Sequence, residues 1–168
     1  TPMTYYASQK YSTLMVTASH NPAQYNGVKI TRKGVEPIGE HNGLDKIETL
    51  MNACHFPGPR RFGGVRQINI LPAYVRAVRK LVNGTYKPLR VLIDCGNGMA
   101  AKYVRGQIGA LGAELHLLND EPDGTFPAHL PDPTLAPNRE QLRETMKKVD
   151  ADLGFGFDTD VDRIFVVI

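Results

Sequence analysis

The sequence contains only two cysteines, Cys54 and Cys95, among its 168 residues. Small secreted domains that depend on disulfides carry more, usually at regular spacings. Cys54 lies near the end of a predicted helix and Cys95 lies in a predicted strand-to-helix turn, which favours two free thiols. We therefore expect a protein of a reducing compartment, the cytoplasm.

The sequence also lacks a large excess of charge of one sign and has no long apolar run. The formal net charge of +3 is too small to indicate nucleic acid or an anionic membrane as a partner. No apolar run approaches the roughly 20 residues of a membrane-spanning helix, and no internal repeat or low-complexity tract is present. With an ordinary hydrophobic content of 42%, the sequence indicates one globular domain, or a domain and part of another.

Strand-like and helix-like segments alternate along the chain. Strands are predicted at 14–16, 27–31, 90–95, 114–118 and 152–157, and helices at 5–11, 44–53, 71–82, 99–111 and 138–149. Asn138 is the predicted N-cap of the last helix. The alternation predicts the α/β class, with layered α/β/α units and a mixed or mostly parallel sheet. The glycines and prolines of 54–64 predict a linker, and hence two units, 1–66 and 67–168.

The motif Thr-Ala-Ser-His-Asn-Pro at residues 17–22 follows the apolar residues 14–16, which predict a buried strand. A turn is indicated by Asn21 and the proline after it. A hydroxyl at the exit of a strand, in a turn that also carries His20, suits a nucleophile or a phosphate carrier. Ser19 is therefore a candidate catalytic residue. The alternative is an ordinary turn in which the Ser19 side chain caps the backbone.

Three aspartates stand at every second position, Asp158, Asp160 and Asp162, and Arg163 follows immediately. In an extended segment all three would point to one face. Because like charges at this spacing repel, the pattern favours a bound cation, and oxygen ligands suit Mg²⁺ with a phosphate oxygen completing its shell. The guanidinium of Arg163 could bind that phosphate. The alternative is a solvated acidic turn, although the apolar flanks 153–157 and 164–168 predict buried strands.

Together these motifs resemble those of the α-D-phosphohexomutases, most of all the bacterial phosphomannomutase/phosphoglucomutase branch. The matching segments are 17–22, 25–30 (Tyr-Asn-Gly-Val-Lys-Ile), 94–98 (Asp-Cys-Gly-Asn-Gly), 123–129 (Asp-Gly-Thr-Phe-Pro-Ala-His) and 158–163 (Asp-x-Asp-x-Asp-Arg). The resemblance implies the end of the first domain and the second domain of a larger multidomain enzyme. A chain that begins at Thr1 and stops within the apolar run 164–168 agrees with that expectation.

The activity that the resemblance implies is an isomerase reaction. A phosphoryl group would move between the 1- and 6-positions of a hexose phosphate through a phosphoserine and a bisphosphate intermediate. Ser19 would carry the phosphoryl group and would hold Mg²⁺ together with Asp158, Asp160 and Asp162. The implied partners are the hexose phosphate and the further domains of the enzyme. The chain alone, without a second phosphate site, is expected to be inactive.

Three other residues receive roles from the resemblance. Lys29, ten residues after Ser19, matches the family's general acid/base, and Mg²⁺ and Arg163 nearby would lower its pKa. His20 would orient the loop or assist proton transfer. Arg163 would bind substrate as a second positive group. Whether the sugar is mannose, glucose or glucosamine phosphate would be decided by the third domain, so phosphoglucosamine mutase stays an alternative.

The sequence departs from the family in the acidic motif. The family has glycine after the first aspartate and glycine or alanine after the second, whereas this chain has Thr159 and Val161. Both are β-branched and unfavourable at positive φ. Either the loop is extended enough to accept them, or the geometry of the metal site is altered.

Two other functions compete with the mutase. Residues 96–101 fit the dinucleotide fingerprint G-x-G-x-x-A, with Asp120 placed as the ribose-binding acid. In an aspartyl phosphatase, Asp158 would be the nucleophile and Asp160 the acid/base, but Asp162 stands where that family has threonine or valine. The proline-rich loop 119–137 is expected to be a rigid surface connection, with His129 structural.

Overall fold

The computed structural model describes residues 1–54, 56, 58, 63–82 and 87–168, so much of the predicted linker 54–64 lies outside the described residues. In chain order the elements are α1 Pro2–Ser8, β1 Thr13–Val16, β2 Val28–Arg32, β3 Glu36–Pro37, α2 Asp45–Asn52, α3 Leu71–Arg79, β4 Arg90–Asp94, α4 Ala101–Gln107, β5 Glu114–Leu118, α5 Glu140–Val149, β6 Leu153–Phe157 and β7 Ile164–Val167. The strands form two sheets. The predicted α/β class is confirmed.

The first sheet is antiparallel, in the order β1-β2-β3. The strand predicted at residues 14–16 is present, but the prediction that it is buried is wrong, because Leu14 is 62% exposed and Val16 is 72% exposed. Side chains alternate along a strand, so Met15 faces α1, where its sulfur lies 3.3 Å from the hydroxyl oxygen of Thr4. Among the described residues, nothing covers the opposite face at these two positions.

The second sheet has the order β5-β4-β6-β7, with the first three strands parallel and β7 antiparallel at the edge. Side chains of β4 alternate between two cores: Val91 and Ile93 pack with α4, and Leu92 packs with Leu142 and Met146 of α5. Helices therefore cover both faces of this sheet, which confirms the α/β/α layering. The prediction of a buried strand at 164–168 is wrong in part, because Ile164 of the edge strand is 56% exposed.

The start of α5 differs from the prediction. Residues Pro137–Arg139 form a 3₁₀ turn, so the α-helix begins at Glu140 and Arg139 is its N-cap. Asn138 is therefore not the cap. Its side-chain amide donates instead to the carbonyl oxygens of Leu130 and Asp132, at 2.6 Å and 2.8 Å.

Contacts between the elements around the first sheet and those around the second determine where the candidate site lies. The rings of Tyr6 in α1 and Tyr74 in α3 lie 5.6 Å apart between centroids. The segments that follow β1 and β6, which carry the serine motif and the acidic motif, also meet, because the hydroxyl of Thr17 donates to Asp160. Of the helices in the described part of the chain, none has the length and apolar character needed to cross a membrane.

Candidate active site

Ser19 and the acidic motif, far apart in sequence, are in contact. The hydroxyl of Ser19 donates to Oδ2 of Asp158 over 3.3 Å. Two residues earlier, the hydroxyl of Thr17 donates to Oδ2 of Asp160 over 3.0 Å. The structure thus brings together the two motifs that the sequence singled out. It contradicts the alternative in which the Ser19 side chain only caps its own turn.

The backbone around Ser19 fixes the direction of its hydroxyl. Ser19 has a φ of 55°, and its N–H donates to Oγ1 of Thr17 over 2.9 Å. Nδ1 of His20 lies 3.4 Å from Oγ of Ser19. Thr17 is held in turn by its N–H bond to the carbonyl oxygen of Gly27, 2.9 Å away. A Cβ at Gly27 would come within 2.8 Å of the Thr17 carbonyl oxygen, so glycine is required for this approach.

The acidic motif forms a turn wound around Asp158. Oδ1 of Asp158 accepts hydrogen bonds from the backbone N–H groups of Asp162 and Arg163, at 3.0 Å and 3.1 Å. Val161 has a φ of 64°, so the expectation of an extended segment is wrong. The turn nevertheless places one carboxylate oxygen from each of Asp158, Asp160 and Asp162 within 4.8 Å of the others.

The acidic loop rests on the turn between β4 and α4. The N–H of Met99 donates to the carbonyl oxygen of Thr159 over 2.9 Å. A Cβ on Gly98 would lie 2.7 Å from Cα of Thr159 and 2.8 Å from its carbonyl oxygen. Gly98 therefore allows two backbone segments to pack closer than any side chain would permit.

That contact counts against a dinucleotide site. The N–H groups of residues 96–99 are all used within the protein: by Oδ1 of Asp94 and by the carbonyl oxygens of Asn119, Cys95 and Thr159. A pyrophosphate needs such groups to be free. Asp120, the candidate ribose-binding acid, instead pairs with Arg105 at 2.9 Å.

Asp158 is also poorly placed for the phosphatase alternative. Its side chain is fully buried, and its two oxygens already accept from Ser19 and from two backbone N–H groups. An aspartyl nucleophile needs an oxygen directed at the substrate. Asp158 therefore fits a structural or ligand-holding position better than a nucleophilic one.

Burial and hydrogen bonding shift two of the carboxyl groups in opposite directions. Burial raises the pKa of Asp158 above its ordinary value, and the charges of Asp160 and Asp162 add to this effect. Burial also acts to raise the pKa of Asp160, but hydrogen bonds from Lys29, Thr1 and Thr17 outweigh it, and the net pKa is lowered. Asp160 is thus held as the anion.

Lys29 forms ion pairs with two of the carboxylates. Its Nζ lies 2.7 Å from Oδ2 of Asp160 and 2.5 Å from Oδ2 of Asp162. Burial acts to lower the pKa of Lys29, but the hydrogen bonds to these two carboxylates outweigh it and raise the pKa. The lowered pKa expected from the sequence assumed Mg²⁺ bound nearby, and it stays a prediction for that state. The neighbours that dominate in this structure are anions.

The carboxylate cluster fits a hard divalent cation. Oδ1 of Asp160 is buried and accepts no hydrogen bond from any described residue. An orphaned carboxylate oxygen inside a protein is costly unless a cation or donor reaches it. The cluster offers only oxygen atoms, which Mg²⁺ prefers, and the hydroxyl of Ser19 borders it. These residues could hold Mg²⁺.

Arg163 lies at the exposed side of the site. Its backbone N–H binds Asp158, whereas its guanidinium forms no hydrogen bond or ion pair with another described residue. Next to Ser19 is a pocket of about 200 Å³, lined partly by Tyr25, Met99 and Phe126. Arg163 is not among the residues that line this pocket.

Three residues near the site were not predicted from the sequence. Thr17 lies inside the serine motif, so its position was the only available signal. Thr1 donates from its hydroxyl to Oδ2 of Asp160 over 2.9 Å, which no sequence pattern indicated. Burial acts to raise the pKa of Asp132, but bonds from Thr134 and the positive charges of His20 and Arg163 lower it. Asp132 therefore brings the loop 119–137 to the edge of the site.

The expected structural role of His129 agrees with the structure. Its Nε2 lies 2.8 Å from Oδ2 of Asp94, and its Nδ1 lies 2.8 Å from the carbonyl oxygen of Leu130. The hydrogen bond to Asp94 raises the pKa of His129 despite burial. This pair fastens the loop 119–137 to the end of β4.

Comparison with known proteins identifies the family. Residues 72–168 match the model of phosphoglucomutase/phosphomannomutase alpha/beta/alpha domain II, and residues 1–57 match domain I. A phosphomannomutase of Escherichia coli is 39% identical over 159 residues, covering 90% of this chain and 35% of that protein. A phosphomannomutase/phosphoglucomutase of Pseudomonas aeruginosa is 39% identical over 171 residues, covering 99% of this chain and 36% of that protein.

A solved structure supports the same assignment. A phosphoglucomutase/phosphomannomutase family protein of Burkholderia thailandensis superposes with a TM-score of 0.79 at 35% identity, covering 93% of this chain and 33% of that one. This chain thus spans about a third of the length of the relatives it matches. Since one domain model matches more than half of its residues, the chain belongs to the phosphoglucomutase/phosphomannomutase family.

Proposed function

We propose that this chain supplies the phosphoserine and the metal site of a phosphohexomutase that interconverts hexose 1-phosphates and 6-phosphates. The observation that carries the proposal is the contact of the Ser19 hydroxyl with a buried carboxylate cluster that has an unpartnered oxygen on Asp160. The family membership and the names of the relatives support a mutase.

Ser19 is the proposed carrier of the phosphoryl group. Asp158, Asp160 and Asp162 would hold Mg²⁺ beside its phosphorylated oxygen. When bound, the cation would neutralise charge on the transferring group, which is the main requirement of phosphoryl transfer. The N–H of Ser19, bonded to Thr17, and its positive φ keep the oxygen directed at the cluster.

The proposed step is a balanced displacement. A free hydroxyl oxygen of the hexose phosphate attacks phosphorus as the bond from phosphorus to Oγ of Ser19 breaks, and its electron pair stays on Oγ. This forms the bisphosphate. The hydroxyl proton leaves and a proton reaches Oγ, so that charge is conserved. After the sugar turns over, the reverse displacement at its other phosphate regenerates phosphorylated Ser19 and releases the isomeric monophosphate.

The remaining residues have proposed supporting roles. Lys29 would carry the proton between the sugar hydroxyl and Oγ of Ser19. His20, with Nδ1 at 3.4 Å from that oxygen, would orient the hydroxyl or assist the proton transfer. Arg163, whose guanidinium is exposed, would bind a phosphate of the substrate through two hydrogen bonds. The hexose phosphate and the further domains of the enzyme are the proposed partners, and the division into units 1–66 and 67–168 stays a prediction.

Phosphate mapping tests this proposal. Intact-mass measurement and peptide mapping of the protein isolated from its own cells should find one phosphoryl group on Ser19. Incubation with mannose 1-phosphate, glucose 1-phosphate or glucosamine 1-phosphate as acceptor should remove it, and the preferred acceptor would identify the sugar. The Ser19→Ala variant is the control. A phosphate found only on Thr17 or Ser12 would contradict the assignment, and preference for glucosamine phosphate would favour the phosphoglucosamine mutase alternative.

A further inference from the structure

The ammonium group of Lys29 lies among the carboxylates that we propose as metal ligands. Its Nζ is 2.7 Å from Asp160 and 2.5 Å from Asp162, both within reach of a charge-assisted hydrogen bond. These carboxylates need a positive partner because one oxygen from each lies within 4.8 Å of the others and Asp160 is buried. In this structure Lys29 is the side chain that forms ion pairs with two of them, and the α-ammonium group of Thr1 lies nearby, donating to the backbone carbonyl oxygen of Asp160.

The Asp160 oxygen that binds Lys29 has little capacity left for a further donor or cation. Oδ2 of Asp160 accepts from Lys29, Thr17 and Thr1 together, while Oδ1 of the same carboxylate is buried without a partner among the described residues. A cation held by these carboxylates would stand close to the ammonium group. Two positive groups at such a separation repel strongly.

We propose that Lys29 is an exchangeable counter-ion, which leaves Asp160 and Asp162 when a divalent cation binds there. The inference rests on the proposed metal site. Lys29 has a route outward, because 33% of its side chain is exposed and Asp162 is 30% exposed. The consequence is a coupling between two parts of the site: Lys29 becomes available to the substrate only after the cation has replaced it.

Lys33 provides a matched control for the test. It lies in the turn after β2 and is exposed. Its backbone N–H donates to Ser12, and its ammonium group forms no hydrogen bond or ion pair with a described residue. Calorimetric titration with Mg²⁺ should give about tenfold tighter binding for Lys29→Met than for the wild-type chain, since a competing cation is removed. Lys33→Met should differ from wild type by no more than about twofold.

A second measurement needs no substitution. Nuclear magnetic resonance of ¹⁵N-labelled lysine side chains in the wild-type chain should detect the ammonium group of Lys29 through its slow exchange in the ion pair. That signal should disappear as Mg²⁺ saturates the site, and the other lysine signals should not change. Mg²⁺ binding with the Lys29 signal retained would overturn the inference and leave the metal site standing. No binding in wild type or in Lys29→Met would overturn both.

Discussion

Gly98 is a position where one added carbon atom should clash with the backbone of the acidic loop. A Cβ there would lie 2.7 Å from Cα and 2.8 Å from the carbonyl oxygen of Thr159, and 3.2 Å from the carbonyl oxygen of Cys95. All three are backbone atoms, so no flexible side chain can move aside. Since overpacking costs about 1–3 kcal/mol in well-packed cores, we expect Gly98→Ala to lower the free energy of unfolding by about 3 kcal/mol.

The same substitution should displace the acidic loop. A loss of about 3 kcal/mol corresponds to a fall in melting temperature of roughly 6–12 °C for a chain of this size, measurable by circular dichroism. Calorimetry should also show weaker Mg²⁺ binding, because Thr159 lies between two of the carboxylates. Gly109→Ala is the matched control: a Cβ there meets nothing within 4 Å, so stability should change by less than about 1 kcal/mol. A Gly98→Ala chain as stable as wild type would refute the close packing of the two turns.

Two further predictions concern pH and activity. The pKa of His129 is raised in the folded state by its hydrogen bond to Asp94, so the stabilisation is complete below the unfolded value and is lost as the pH rises through the folded one. Chemical denaturation should therefore show that His129→Gln lowers the free energy of unfolding by about 1.5–3 kcal/mol below about pH 6 and by less above about pH 8. The control is His116→Gln, which removes a more exposed pair and should have little effect at either pH. We also expect the 168-residue chain alone not to isomerise hexose phosphates in a coupled assay. Holding the far phosphate of the substrate can lower the activation barrier by on the order of 7–11 kcal/mol, and the chain spans about a third of its relatives' length. Turnover near the typical rate of about 10 per second would contradict this.

The sequence predicted the parts of the fold that depend on local patterns. The apolar run of β4 was predicted because buried parallel strands have this composition. The edge strand at Glu114–Leu118 was also predicted at these bounds. The end of β1 was predicted with the wrong burial, because exposure depends on which elements cover a sheet. Asn138 was wrongly predicted as a cap, because the tertiary bonds to Leu130 and Asp132 have no local sequence signal.

The site divides in the same way. Ser19 and the three aspartates were found because each motif is contiguous in sequence. The pairing of Lys29 with Asp160 and Asp162 was not predicted, since it joins residues 131 and 133 positions apart. The direction of the Lys29 pKa shift likewise depends on which charges lie nearest: the two carboxylates raise the pKa in this structure, and the lowered pKa expected beside a bound Mg²⁺ stays a prediction.

Val161 shows how a residue that is unfavourable at positive φ can be retained in the acidic loop. Its φ of 64° costs of order 1–3 kcal/mol for a β-branched residue, a cost that glycine would avoid. Its side chain, however, packs against the core that contains Val104 and Ile93, and burial of a valine contributes up to about 1.5–3 kcal/mol. The two effects are of similar size. The turn keeps the three carboxylates within 4.8 Å of one another, and the Val161 side chain packs the loop against the core, a contact that glycine would lack.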